Sequence, residues 1–192
     1  MRSLKIIEHI SLDGVIQHSP DDNGFPYDAW SVPYRTPEGL DLLLTSYGER
    51  FDLLFGRRTY DMLASFWPKA PSSPMADRLN AGTKYVVTHR PEGLDWGPAE
   101  TLGPDLVDGV RRIKAENGPD IVVTGSSTLT STLIENALAD QVVLVVNPVL
   151  LGTGRRLFAE GTPARSLQLA DTKALPTGLV VNTYEKVGPL KS

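Results

Sequence analysis

The 192-residue chain contains no cysteine. That excludes a disulfide framework, a thiol nucleophile and a zinc–thiolate site, and it fits a reducing compartment. Histidine is scarce as well, at His9, His18 and His89 only. These three are not spaced as metal ligands, so no metal site is expected. No Ser-His-Asp arrangement is identifiable from chain order. No stretch approaches the about 20 apolar residues of a membrane span. Met1-Arg2-Ser3 leads directly into Leu4-Lys5-Ile6-Ile7-Glu8, which reads as a first strand and lacks a secretory signal's apolar run. Lys and Arg number 19 against 23 Asp and Glu, a net charge of −4. General binding to nucleic acid or an anionic membrane is therefore not expected, and any basic site has to be local. A cytoplasmic protein is the default expectation.

What is present is an alternation of strand and helix patterns. The length suits one domain, residues 1–192, with a full core. Leu4 to Ile10 is a β-branched run ending in the turn Ser11-Leu12-Asp13-Gly14. A long loop follows, from Gln17 to about Arg35. Its aromatics Phe25, Tyr27, Trp30 and Tyr34 argue for a packed or ligand-facing loop. Thr36-Pro37-Glu38 has the form of a helix start, and Leu40, Leu43, Leu44 and Tyr47 share one helical face. Asp52 to Phe55 reads as a buried strand, Thr59 to Phe66 as a helix stopped at Pro68, and Pro71 to Asn80 as a region with a short helix. Lys84 to Thr88 is a strand, and Pro104-Asp105 opens a helix closed by Gly118-Pro119. Ile121 to Thr124 is a strand buried on both faces, followed by a helix carrying Leu129, Leu133 and Ile134. Val142 to Val146 is another strand. Leu167 to Ala170 and Leu179 to Val187, with the turn Pro176-Thr177-Gly178 between, read as a terminal antiparallel hairpin. The expected class is α/β, a mainly parallel central sheet flanked by helices.

Three strand ends carry the functional signal. They are Gly56-Arg57-Arg58-Thr59, Thr88-His89-Arg90 and Thr124-Gly125-Ser126-Ser127-Thr128. Ligands of open α/β sheets sit at the carboxyl ends of strands, where helix N-termini offer unpaired N–H groups to phosphate. Together these ends point to a phosphate-rich nucleotide. Each also has a bland reading. Arg57 and Arg58 could be solvated residues of a tight turn, Ser127 or Thr128 could simply cap a helix, and Thr88-His89-Arg90 could be a solvated loop. Gly152-Thr153-Gly154-Arg155-Arg156 lacks the third glycine of a dinucleotide fingerprint and reads as a turn. Asp13 is an acid or hydrogen-bond partner for substrate, or, as Asp13-Gly14, a turn residue.

The blocks Ser11 to Ile16, Leu54 to Tyr60, Lys84 to Thr88, Ile121 to Ser126, Leu138 to Gly152 and Arg156-Leu157-Phe158 occur in one order across nearly the whole chain. In that order the sequence resembles the dihydrofolate-reductase-like superfamily, in particular its branch related to the reductase domain of bacterial riboflavin biosynthesis. The resemblance implies NADPH as hydride donor. It implies that Gly56, Arg57, Arg58 and Thr59 form a phosphate-binding turn. Thr88, His89 and Arg90 would hold the adenosine 2′-phosphate, and Gly125, Ser126, Ser127, Thr128 and Leu129 would form the helix start under the pyrophosphate. Ile10, Val15 and Ile16 would pack on the nicotinamide. Arginine forks and hydroxyls suit a 2′-phosphate, whereas NADH favours a carboxylate on the ribose.

The folate enzymes carry a Trp-x-x-Pro-x-acid pattern, and the nearest match here is Trp30, Pro33 and Arg35. An arginine in place of the acid repels a protonated pterin and suits a phosphorylated or carboxylated substrate. A ribityl-phosphate pyrimidine or another small heterocycle is the expected substrate class, with Asp13, Trp30 and Arg35 as the candidate substrate and catalytic residues. No cytidine-deaminase-type segment precedes the first strand, so any deaminase partner is expected to be a separate protein. The resemblance also implies a homodimer. Two other classes stay open: a nucleotide-binding protein of the same fold without turnover, and a phosphoryl-transfer enzyme. Against the latter stands the lack of a Gly-x-x-x-x-Gly-Lys-Ser/Thr loop.

Overall fold

Leu4, Ile6, Ile7, Leu53, Leu54, Phe55, Ile121, Val122 and Val123 are all almost fully buried, although neighbours in a strand point to opposite faces. Strands hydrophobic on both faces belong in the middle of a parallel sheet covered on both sides. That is where the computed structural model, which describes residues 1–18, 24–103 and 105–190, puts them. The chain runs β1 (Leu4–Ser11), α1 (Pro37–Tyr47), β2 (Phe51–Gly56), α2 (Arg57–Ala64), α3 (Pro74–Ala81), β3 (Lys84–Val87), β4 (Ala99–Gly103), α4 (Leu106–Ala115), β5 (Asp120–Val123), α5 (Ser127–Glu135), β6 (Gln141–Asn147), β7 (Arg165–Ala174) and β8 (Val180–Pro189). The sheet order is β4-β3-β2-β5-β1-β6-β8-β7. β1 to β6 pair in parallel, and β8 joins β6 antiparallel and carries β7 as the last strand.

The two faces have separate cores. Leu4, Ile6, Leu54, Ile121, Val123 and Val142 pack under α4 and α5 through Val110, Ile113, Leu129 and Leu133. Ile7, Leu53, Phe55, Val122 and Val143 pack against Tyr47 of α1, Tyr60 of α2, and Met75 and Leu79 of α3. At about 1.5–3 kcal/mol per buried aliphatic or aromatic side chain, these two layers supply most of the favourable free energy of folding.

Several details differ from what the sequence pattern suggests. α2 starts at Arg57, directly after the strand, and ends at Ala64; a separate 3-10 turn at Trp67–Lys69 follows. β4 has no counterpart in the sequence reading, because its Glu100 and Thr101 are exposed at the sheet edge and leave no apolar run. β7 extends past its apolar stretch at both ends, whereas β8 extends past its own only at the carboxyl end. Ser126 caps α5, accepting from the Leu129 N–H at 3.4 Å, in place of Ser127 or Thr128. Part of the loop from Gln17 to Arg35, and Pro104, lie outside the described residues.

Many of the buried polar groups lie where strands start or stop. At the amino ends of the strands the Arg2 guanidinium, with 2 % of its side chain exposed, pairs with Asp52 of β2. It also donates to the carbonyl of Pro119 at 2.6 Å and to the Tyr85 hydroxyl at 3.2 Å. Asp52 in turn accepts from the Thr83 N–H at 2.8 Å. This network ties the entries of β1, β2, β3 and β5 together. Breaking a buried pair from one side leaves an uncompensated charge. Asp52→Asn should therefore lower stability by about 3–5 kcal/mol, read as a fall in the urea midpoint with the slope unchanged.

Candidate active site at the strand ends

The carboxyl ends of β2, β3 and β5 lie side by side, because β2 pairs with both of the others. Two of them feed helix N-termini, α2 after Gly56 and α5 after Ser126. The two turns touch. A Cβ on Gly125 would lie 3.1 Å from Thr59 Cγ2, and one on Gly56 would lie 3.9 Å from Ser126 Oγ. Gly125 takes φ +75° and Ser126 φ +68°. Two successive residues at positive φ turn the chain sharply from β5 into the helix. Ser126 adopts this conformation without being glycine, a costly arrangement that marks functional turns.

Arg57 is engaged within the chain. Its Nε pairs with Asp61 at 2.8 Å, and its Nη1 donates to the carbonyls of Arg90 and Glu92 at 2.7 and 2.8 Å. It thereby holds the segment after β3 against α2. Thr88 is buried and closes the same segment on itself, accepting from the Arg90 N–H at 2.9 Å. Arg58, His89, Arg90 and Thr128 are exposed along the rim, and Ser127 is half-buried. Leu129 faces the core.

At the end of β1, Asp13 is tied into the turn. Its carboxylate accepts from the Ser11 hydroxyl at 2.6 Å and from the amides of Leu151 and Gly152 at 3.1 and 2.8 Å. The Ser11 bond, helped by these amides, holds its pKa down at about 2. Ile10 and Ile16 pack together with Leu157, while Val15 belongs to a separate cluster with Phe25 and Trp30. The three residues thus divide between two apolar patches. Gly154 shows why the Gly152-Thr153-Gly154 turn needs its second glycine: with φ +112°, it leaves room that a Cβ would take from Phe25 and Val15.

The loop after β1 is packed down by Trp30. Its ring stacks on His18, with centroids 4.5 Å apart, and its Nε1 donates to the Gln17 carbonyl at 2.6 Å. His18 Nδ1 lies 2.8 Å from the Ile16 carbonyl and Nε2 lies 3.0 Å from Ser31 Oγ. A carbonyl can only accept, so the proton sits on Nδ1 and Ser31 donates to Nε2. Arg35 Nη2 donates to the same Ser31 oxygen at 3.3 Å. Burial, and to a lesser extent Arg35, keep His18 below its ordinary pKa. His9 of β1 meets His18 edge-on at 6.2 Å, and burial lowers its pKa to about 4. Among the described residues, His9 Nδ1 and Asn147 Oδ1 are both buried without a hydrogen-bond partner. Because β1 and β6 pair His9 with Val145 and Ser11 with Asn147, the two residues share a face as diagonal neighbours.

Between β1 and β5 the strands part above Ile6 and Val123, the last paired residues. Glu8 lies in that crevice, 7 % exposed. Its Oε2 accepts from the Gly125 amide at 2.6 Å and from the Thr124 hydroxyl at 3.4 Å. Burial raises its pKa to about 7, and the two hydrogen bonds oppose that shift. Among the described residues no three His, Asp or Glu are grouped to hold a metal, and no helix is long and apolar enough to cross a membrane.

The profile of the RibD C-terminal domain matches residues 5–181. Two Bacillus subtilis (strain 168) proteins of uncharacterized function are similar in sequence. YyaP is 26 % identical over 149 residues, covering 75 % of this chain and 79 % of that protein. YwjB is 28 % identical over 121 residues, covering 63 % and 66 %. Among solved structures, a putative riboflavin biosynthesis protein from Shewanella sp. PV-4 superposes with a TM-score of 0.69 at 22 % identity, covering 96 % of this chain and 98 % of that one. A pyrimidine reductase-like protein from Corynebacterium diphtheriae gives 0.65 at 13 % identity, covering 100 % and 93 %. At these identities the structural likeness establishes the dihydrofolate-reductase-like fold.

Sequence reasoning passed over Glu8, His9 and Asn147. Each sits in an apolar strand pattern, and a polar residue interrupting such a run was the available signal. The geometry of the β5–α5 turn yields a direct test. Gly125→Ala places a side chain at positive φ and against Thr59, and should destabilise the fold by about 1–2 kcal/mol. Ser126→Gly, which relieves a positive φ, should cost little or nothing in the same thermal melts.

Proposed function

The chain belongs to the RibD C-terminal domain family, and on that premise we propose that it is an NADPH-dependent reductase of a small nitrogen heterocycle. The reading rests on one observation above others. Two helix N-termini and an arginine-bearing strand end share one rim, with a left-handed Gly125-Ser126 turn between them. The donor set fits a dinucleotide phosphate: backbone amides and hydroxyls at the turns, His89 and Arg90 at the rim, and no carboxylate side chain among Thr88, His89 and Arg90 to suit an unphosphorylated ribose. The riboflavin-biosynthesis and pyrimidine-reductase names of the structural neighbours agree with this class.

In this reading the turns Gly56–Thr59 and Gly125–Thr128 would hold the pyrophosphate, with Arg58 beside them, and the Thr88–Arg90 end would take the 2′-phosphate. Bound NADPH would supply the hydride that reduces a C=N or C=O group. Arg57 orders the segment that carries His89 and Arg90. Ile10, Ile16 and Leu157 form an apolar wall that excludes water near the reacting ring. Asp13 fixes the Leu151–Gly152 loop beside that wall. Trp30 and His18 hold the long loop in place, and Arg35 at its end attracts a phosphate or carboxylate substituent of the substrate. The face bearing His9 and Asn147 offers two unsatisfied polar atoms suited to the edge of a heterocycle. A cytoplasmic homodimer belongs to the same reading, with the exposed strand β7 and its Leu169 as the surface available for pairing.

Calorimetric titration with NADPH and with NADH tests the proposal. NADPH should bind more tightly, and Arg90→Ala should weaken NADPH by about 1.5–3 kcal/mol while leaving NADH unchanged. Lack of binding by either dinucleotide would overturn the reductase reading. Tight NADPH binding with no oxidation across a panel of phosphorylated pyrimidines and pteridines would point to the nucleotide-binding protein without turnover.

A further inference from the structure

We propose that Glu8, in the β1–β5 crevice, is a positioning residue that makes nucleotide binding at the β5–α5 turn proceed with proton uptake, an inference that rests on the dinucleotide reading above. The geometry puts Glu8 on the strand side of the turn whose outer side would meet the pyrophosphate. Its Oε2 holds the Gly125 amide at 2.6 Å, the first amide of the two-residue left-handed turn. Among the described residues its Oε1 takes no hydrogen bond, and both the Thr124 and the Gly125 bonds fall on Oε2.

The groups facing this carboxyl are few. The β5–α5 turn contributes the Thr124 hydroxyl and the Gly125 amide. α1 contributes Tyr47, whose phenol stays neutral because burial, and then the Glu8 charge, push its pKa up. β6 places Leu144 beside it. α2 approaches the turn through Thr59, and its Arg57 is engaged with Asp61 and the carbonyls beyond β3. No lysine or arginine pairs with Glu8 among the described residues. A phosphate arriving on the far side of one peptide turn therefore faces an uncompensated carboxylate in a site poorly screened by water.

The carboxyl is already balanced near neutrality by its burial. A nearby anion favours its neutral form further. The proton comes from solvent and settles on Oε1, so Oε2 can keep accepting the Gly125 N–H and the turn holds its shape. Affinity for a dinucleotide then falls as the pH rises through the midpoint of Glu8, because each binding event has to draw a proton from a more dilute supply.

The test is titration calorimetry of the full-length protein with NADPH at pH 7.5, in two buffers of different ionisation enthalpy, for the wild type and Glu8→Gln. The 2′-phosphate exchanges protons equally in both proteins, so the difference isolates Glu8. The wild type should take up a measurable fraction of a proton more than the variant. Its Kd should rise by up to about tenfold per pH unit above the midpoint, while the Glu8→Gln Kd stays flatter. Equal proton uptake by the two proteins, with NADPH bound, overturns the proposal and leaves the reductase reading standing. No heat from the wild type at any pH overturns the dinucleotide reading itself. A second measurement needs no variant: the Gly125 amide resonance of the wild type should titrate near neutral pH, with its midpoint raised by NADPH. A midpoint that NADPH does not move overturns the proposal.

Discussion

The central strands are covered on both faces, and that constraint organises everything else in the molecule. A strand between two helical layers has no solvated side on which to place polar residues. Charge is therefore driven to the two ends of the sheet. At the amino ends Arg2 pairs with Asp52 and Lys114 with Asp140, and the Lys84 ammonium donates to the carbonyls of Asn80 and Gly97. At the carboxyl ends, among the described residues, Glu8 has no cation beside it and His9 and Asn147 each keep an unpaired atom. One end of the sheet has the electrostatics of a fastening and the other holds the candidate site.

The same constraint explains why the site is assembled from turns. β2 and β5 run out of apolar partners at Gly56 and Val123, and each chain turns at once into a helix. Because these strands are neighbours, their two helix starts come within contact of each other. Arg57 then reaches across to the segment after β3 and adds the third component of the rim. The loop from Gln17 to Arg35 closes the other side, fastened by the stacked pair of Trp30 and His18.

Much of this was legible beforehand. Apolar runs and their punctuation located β1, β2, β3, β5 and β6, and the terminal hairpin. Thr36 and Asp105 were recognisable as helix starts, and both do cap α1 and α4. β4 was not legible, since an edge strand with exposed Glu100 and Thr101 carries no burial pattern. The roles of individual polar residues were less visible still. The partners of Arg57, 33 and 35 residues away, leave no trace in the local pattern. Asp13 reads as an acid or a turn residue until its bonds to Leu151 and Gly152 are seen.

By itself the sequence determined the class of fold, the order of its elements and the three glycine- or hydroxyl-bearing strand ends, because periodicity and turn chemistry are local properties of the chain. Tertiary structure alone decided which polar groups were spent on holding the fold and which were left over. Glu8 and Gly125 lie 117 positions apart. Whether a carboxylate is solvated, paired or stranded depends on what the chain brings beside it from such distances, and no local pattern encodes that.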